Sequence, residues 1–132
     1  MNRRDLMIMG GATLLLAGRA GATNIDYTPG LVQQRLAAGE TLFVDFFAPW
    51  CSTCRTQERH VEAIRAENPA YDAAMSFIRV DWDTYGTGEL AQSLQIPRRS
   101  TLVLLRGEAE LGRIVAGTSR SAIQELMDLG LG

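Results

Sequence analysis

The chain has 132 residues, 46% of them hydrophobic, enough for one globular domain and too few for two. Its formal net charge is −2 and no run of basic residues offers a phosphate-binding groove, which argues against a nucleic-acid binder. Lysine is absent and all thirteen basic residues are arginine, a bias best read as genome composition.

Residues 1–22 read as an export signal rather than part of the fold. Arg3 and Arg4 precede an apolar run from Leu6 to Ala17, and Ala20-Gly21-Ala22 offers a small-x-small cleavage site. The stretch Asn2-Arg3-Arg4-Asp5-Leu6-Met7 resembles a bacterial twin-arginine signal, and Gly10, Gly11 and Arg19 suit that route. The alternative is an uncleaved anchor, although the run is shorter than the ~20 residues a spanning helix needs. Cleavage after Ala22 would remove three arginines and one aspartate, taking the net charge from −2 to −4.

In the remaining domain, 23–132, Thr28-Pro29 predicts the start of a short helix, with Thr28 as its cap, closed by Gly39; Leu31, Val32, Leu36 and Ala37 would form its buried face. Thr41 to Phe47 reads as a central strand, β-branched and aromatic, with one misfit: a carboxylate at Asp45 is expensive to bury without a proton or a partner. A helix follows from about Cys51 and ends by Asn68-Pro69, with Val61 and Ile64 on its buried face and Arg55 to His60 polar on nearly every side. Ala70 to Ala74 allows one more turn. Ser76 to Trp82 reads as a strand, Glu89 to Leu94 as a short helix, and Ser100 to Leu105 and Glu110 to Val115 as a hairpin turning at Arg106-Gly107-Glu108. Thr118 or Ser119 caps a last helix with Ile123, Leu126 and Met127 inward.

The chemistry concentrates at Cys51 and Cys54. Two cysteines three apart, delivered by a buried strand to the first turn of a helix, point to a redox pair. Helix-terminal N–H groups favour a thiolate at Cys51, and Cys54 is spaced to attack a mixed disulfide formed there. The other reading of CxxC, half a zinc site, lacks a second pair; with His60 the sole histidine, four ligands would require carboxylates or another chain.

The stretch Val44-Asp45-Phe46-Phe47-Ala48-Pro49-Trp50-Cys51-Ser52-Thr53-Cys54 resembles the active-site segment of the thioredoxin family, and the likeness runs from about Asn24 to Leu129. It implies an α/β thioredoxin fold: a central mixed four- to five-stranded sheet with helices on both faces. It also implies thiol/disulfide exchange in which Cys51 is the nucleophile, Cys54 the resolving cysteine and Asp45 the buried acid that handles the resolving thiol's proton. The redox-active Cys51–Cys54 disulfide serves in place of any cofactor. Arg79 falls where the family often has lysine, and is expected to hold Asp45 ionised.

Three departures stand out. Ser52-Thr53 replaces Gly-Pro between the cysteines, and the helix lacks the family's kinking proline near Glu58 or Arg59. Ser100 falls where a cis-proline normally faces the cysteines. Making Pro97 that residue would pull Arg98 and Arg99 into a buried strand, so Ser100 with a trans bond is the better register. Arg98 and Arg99 are then expected beside Cys51, lowering its pKa and attracting acidic partners. Trp50, Arg99 and Ser100 are the candidate substrate-binding residues. Trp82 and Tyr85 read as strand-end packing.

The leading reading is an exported, periplasmic thiol/disulfide oxidoreductase acting on cysteines or disulfides of other proteins. It is monomeric, served by a membrane electron donor or acceptor, and reducing in direction because Asp45 is kept. The alternative is a soft-metal module in which Cys51 and Cys54 hold copper(I), and a third is a non-catalytic relative, against which both cysteines speak.

Overall fold

The computed structural model describes residues 23–132; the expected signal over 1–22 lies outside them. The elements are β1 (Ile25–Asp26), α1 (Leu31–Ala37), β2 (Thr41–Phe47), α2 (Ser52–Glu67), α3 (Ala70–Ala74), β3 (Ser76–Asp81), α4 (Trp82–Tyr85), α5 (Glu89–Ser93), β4 (Thr101–Arg106), β5 (Ala109–Val115) and α6 (Arg120–Leu129). The strands form one five-stranded sheet in the order β1-β3-β2-β4-β5.

β2 is central because six of its seven residues are buried, and only a strand covered on both faces sustains such a run. It pairs in parallel with β3, and α2 and α3 supply the crossover that a parallel connection requires. On its other edge it pairs antiparallel with β4, which turns into β5 through Gly107 at φ 61. Successive β2 side chains alternate between faces. Leu42, Val44 and Phe46 join Val32, Ile78, Leu90, Val103 and Leu105 in one core; Phe43 joins Ile64, Tyr71, Leu102, Leu104, Ile123 and Met127 in the other. Asp45 therefore points to the second face, beneath α2.

Two elements were not expected. β1 has two residues, too few to show a period, and exists because Ile25 and Asp26 align with Ile78 and Arg79 on the open edge of β3. α4 is one turn, capped where the Asp81 carboxylate accepts from the Asp83 N–H at 3.0 Å; Trp82 and Tyr85 pack edge-on against Phe46 and Tyr27. The start of α1 also differs. Gly30, at φ 88, is its cap without a side-chain bond, and Thr28 contributes only its carbonyl, to the Leu31 N–H at 3.0 Å. Within α1, Val32 is buried, Leu31 and Leu36 are half-buried, and Ala37 faces solvent. Ser119 caps α6 through the Ala122 N–H.

Candidate active site

The site lies where β2 ends. After Phe47 the chain turns through Ala48-Pro49-Trp50, tied by the Cys51 N–H to the Ala48 carbonyl at 3.1 Å, and Cys51 becomes the N-cap of α2. Its backbone is extended, and its sulfur accepts the Cys54 N–H at 3.2 Å, as a capping oxygen would. Sixteen residues of helix stand behind that sulfur and place partial positive charge on it. Cys51 and Cys54 are both buried and both free.

Ser100 faces this pair. Its hydroxyl oxygen is 3.2 Å from the Cys51 sulfur and 3.0 Å from the Cys54 sulfur. No cis bond occurs among the described residues, so the bond before Ser100 is trans, and Ser100 sits at φ 65. That left-handed conformation is uncommon outside glycine and persists where surroundings fix it. Here the Ser100 N–H donates to Phe46 O at 2.7 Å, and its carbonyl accepts from Ala116 N–H at 2.8 Å and from the Gln57 amide at 3.0 Å.

Gln57 was missed by sequence reasoning, which took the Arg55 to His60 turn as polar on nearly every side. It is fully buried, and its amide nitrogen also donates to the Gly117 carbonyl at 2.8 Å, joining the Ser100 loop to the chain after β5. The signal was available. Cys54, Gln57, Val61 and Ile64 recur at three- and four-residue spacing, one continuous helix stripe that a hydrophobicity reading cut short at a polar letter.

Burial works against a charge on Cys51, but the Cys54 thiol, the Ser100 hydroxyl, the Cys54 N–H and, least of all, Arg99 favour the thiolate and bring its pKa down from 9.0 to about 7. Cys54 moves the other way, raised by burial and by its bond to Cys51. The site thus separates a thiol that ionises readily from one that keeps its proton.

Asp45 aligns with Arg79 across β2 and β3, yet Arg79 does not hold it ionised. The Arg79 guanidinium pairs with Glu58 of α2 at 2.5 Å and lies over the Phe47 ring, 3.8 Å from its centre. One Asp45 oxygen has no hydrogen-bond partner. Burial raises the Asp45 pKa from 3.8 to about 7; Arg79 opposes this, while Glu58 and Cys51 add to it. The expectation fails because burial outweighs the arginine, whose charge is also shared with the Glu58 carboxylate of another element.

At the rim, Trp50 is 58% exposed. Its indole N–H donates to both Asp83 carboxylate oxygens at 3.0 and 3.1 Å, and Arg99 lies over its ring, 4.5 Å from the centre. Arg99 also helps to lower the Cys51 pKa, whereas the Arg98 side chain turns back to the Arg99 carbonyl at 3.0 Å. Only one of the two expected arginines bears on the thiol. His60 is half-exposed on α2, outside the site. Among the described residues, no three His, Cys, Asp or Glu side chains cluster as a metal site.

A parallel and antiparallel sheet between helices, with a CxxC pair at a helix N-terminus, defines a thiol/disulfide oxidoreductase of the α/β class. The sequence profile of the thioredoxin family matches residues 25–129. Thioredoxin-2 of Saccharomyces cerevisiae is 33% identical over 91 residues, which cover 68% of this chain and 81% of that one. Thioredoxin of Echinococcus granulosus is 29% identical over 90 residues, 67% of this chain and 78% of its own. Among solved structures, Trxlp of Edwardsiella tarda superposes with a TM-score of 0.67 at 30% identity, covering 78% of this chain and 98% of that one. Mitochondrial thioredoxin 3 of S. cerevisiae, at 21% identity, shares the fold with a TM-score of 0.64 over 80% of this chain and 94% of its own. The chain belongs to the thioredoxin family, and is a thioredoxin-like thiol/disulfide oxidoreductase.

Proposed function

We propose that this protein is a reductase of protein disulfides in the bacterial cell envelope. The observation that carries the reading is the split between the two thiols, Cys51 lowered to about 7 and Cys54 raised. The Cys51 thiolate attacks one sulfur of a substrate disulfide; that bond breaks, a Cys51–substrate disulfide forms, and the first substrate thiolate leaves and takes a proton. Cys54 then gives its proton to Asp45 and attacks the Cys51 sulfur, forming the Cys51–Cys54 disulfide and releasing the second substrate thiol. Two electrons and two protons have passed to the substrate. No cofactor enters, and a membrane electron donor restores the dithiol.

Asp45 suits its part because a carboxyl with a pKa of about 7 accepts a proton near neutral pH and gives it up again. Trp50 and Arg99 form the surface on which a substrate segment docks beside Cys51, and Arg99 favours an acidic residue near the target cysteine. Export rests on the sequence of residues 1–22, with the domain acting as a monomer after cleavage at Ala22. N-terminal sequencing of protein recovered from the periplasm tests that cut.

The direction of flow is tested by the reduction potential of the Cys51–Cys54 pair in glutathione or dithiothreitol buffers. A value near thioredoxin's, about −270 mV, is expected; one near −120 to −180 mV would make the protein an oxidant or isomerase.

A further inference from the structure

Three hydrogen bonds hold Ser100 in a backbone conformation that serine seldom adopts, and the result is one hydroxyl within reach of both sulfurs. A hydroxyl has one hydrogen to give and two lone pairs to accept with. In the resting dithiol, Cys51 carries the charge, so the hydroxyl donates to Cys51, as the Cys54 S–H also does. Once Cys51 is joined to a substrate sulfur it has no charge and accepts weakly. The same hydrogen then needs only a rotation about the Cβ–Oγ bond to meet Cys54, at a distance 0.2 Å shorter than to Cys51 (3.0 against 3.2 Å), with no heavy atom moving.

We propose that Ser100 is a catalytic residue that passes its one hydrogen bond from the Cys51 thiolate to the Cys54 thiolate as exchange proceeds, and that Gln57 is its positioning residue. The inference rests on the reading of Cys51 as attacking and Cys54 as resolving thiol. A proline in this place has no hydroxyl to give, so here the loop takes on a chemical task. Hydrogen bonds to charged groups are the strong ones, and this one stabilises whichever sulfur is about to attack. In the resolving step Cys54 loses its proton to Asp45, the Cys51–Cys54 bond forms, the Cys51–substrate bond breaks, and the substrate sulfur leaves with the electron pair. The serine hydroxyl ends facing a neutral disulfide, a poor acceptor, so the arrangement favours the dithiol. The other charged groups bearing on the pair are Asp45 from β2 and Arg99 from the loop before β4. Neither hydrogen-bonds both sulfurs.

The test titrates each thiolate by its ultraviolet absorbance. Cys51 is followed in the full protein, and Cys54 in a Cys51→Ala background, which stands for the state in which Cys51 carries no charge. Ser100→Gly removes the hydroxyl and tolerates φ 65; Ser100→Ala is the second variant should glycine loosen the loop. Each midpoint is expected to rise by about one unit, tenfold in the dissociation constant, as loss of one charge-assisted hydrogen bond predicts. Gln57→Met should move both midpoints the same way by less, and move neither further in the Ser100→Gly background. When the Cys51–glutathione disulfide is formed in advance, its decay to the Cys51–Cys54 disulfide should be slower in Ser100→Gly than in wild type, by up to about tenfold, with the lost Cys54 thiolate. A Cys51 midpoint that rises while that of Cys54 stays fixed would overturn the transfer, as would two unmoved midpoints. The titrations need no turnover. Shifted midpoints in a protein that reduces no disulfide would sink the reductase reading and leave the hydrogen-bond transfer supported.

Discussion

On one face of the sheet β2 contributes Leu42, Val44 and Phe46 to a core built from apolar side chains of α1, α5, β3 and β4. On the other face the same strand contributes Phe43 and then Asp45, and the helix above brings Gln57 and Arg65 into the interior. Arg65 is anchored by Asp72 at 2.6 Å and Asn24 at 2.6 Å, and its guanidinium lies over Phe77. Buried charge is tolerable when it is paired, and costly when it is not. Arg65 is paired; Asp45 is left with an unpartnered oxygen. The polar insertions lie on the face whose helix carries both cysteines, so the first face supplies stability and the second gives some of it up to the chemistry.

Substitutions on the second face should act on chemistry first. Cys51→Ala is expected to take insulin reduction down to the rate without protein, and Cys54→Ala to trap a Cys51–substrate disulfide visible by mass spectrometry. Unchanged turnover in Cys51→Ala would break the assignment of the attacking thiol. On the first face, Phe46→Ala should cost about 3–5 kcal/mol in denaturant unfolding, the usual range for emptying a buried aromatic site. A loss under about 1 kcal/mol would mean that this face is not the stabilising one.

Asp45 sharpens the contrast through pH. Its pKa is raised from 3.8 to about 7, so between those values the folded state holds a proton that the unfolded chain has released. Stability therefore falls as pH rises from about 4 to about 7 and stays reduced above that, by on the order of a few kcal/mol. Asp45→Asn should remove this slope and be the more stable protein at pH 8, measured by urea unfolding across the range. A wild-type protein whose stability is flat from pH 4 to 7 would contradict the uncompensated burial of Asp45.

The smallest effect belongs to the rim. Iodoacetamide labelling of Cys51 should show a midpoint near pH 7, the value to which its hydrogen bonds bring it. Arg99→Gln should raise that midpoint by less than about one unit, since the guanidinium makes the smallest contribution to it. Arg98→Gln should leave it unmoved, because that side chain is spent on the Arg99 carbonyl.

What the sequence determined by itself was what is written in local pattern. The run into Cys51, the helix ending before Pro69, the hairpin at Gly107 and the stripe of α6 are periodicities and punctuation, and they stood without tertiary information. The placing of Ser100 opposite the cysteines came from the resemblance to the thioredoxin family, and the cost of burying Arg98 and Arg99 only decided it against Pro97. Tertiary structure decided the rest. β1 exists only because an edge of β3 was open to it. The charge of Arg79 is shared between Glu58 and Asp45 because a helix crosses above the strand pair, and Coulomb energy depends on distances no linear pattern contains. Gln57 reads as a surface letter until the Ser100 and Gly117 carbonyls arrive from more than forty residues away to accept from its amide nitrogen. A polar residue's burial depends on partners brought by the fold, and those partners are what place a hydroxyl between the two thiols.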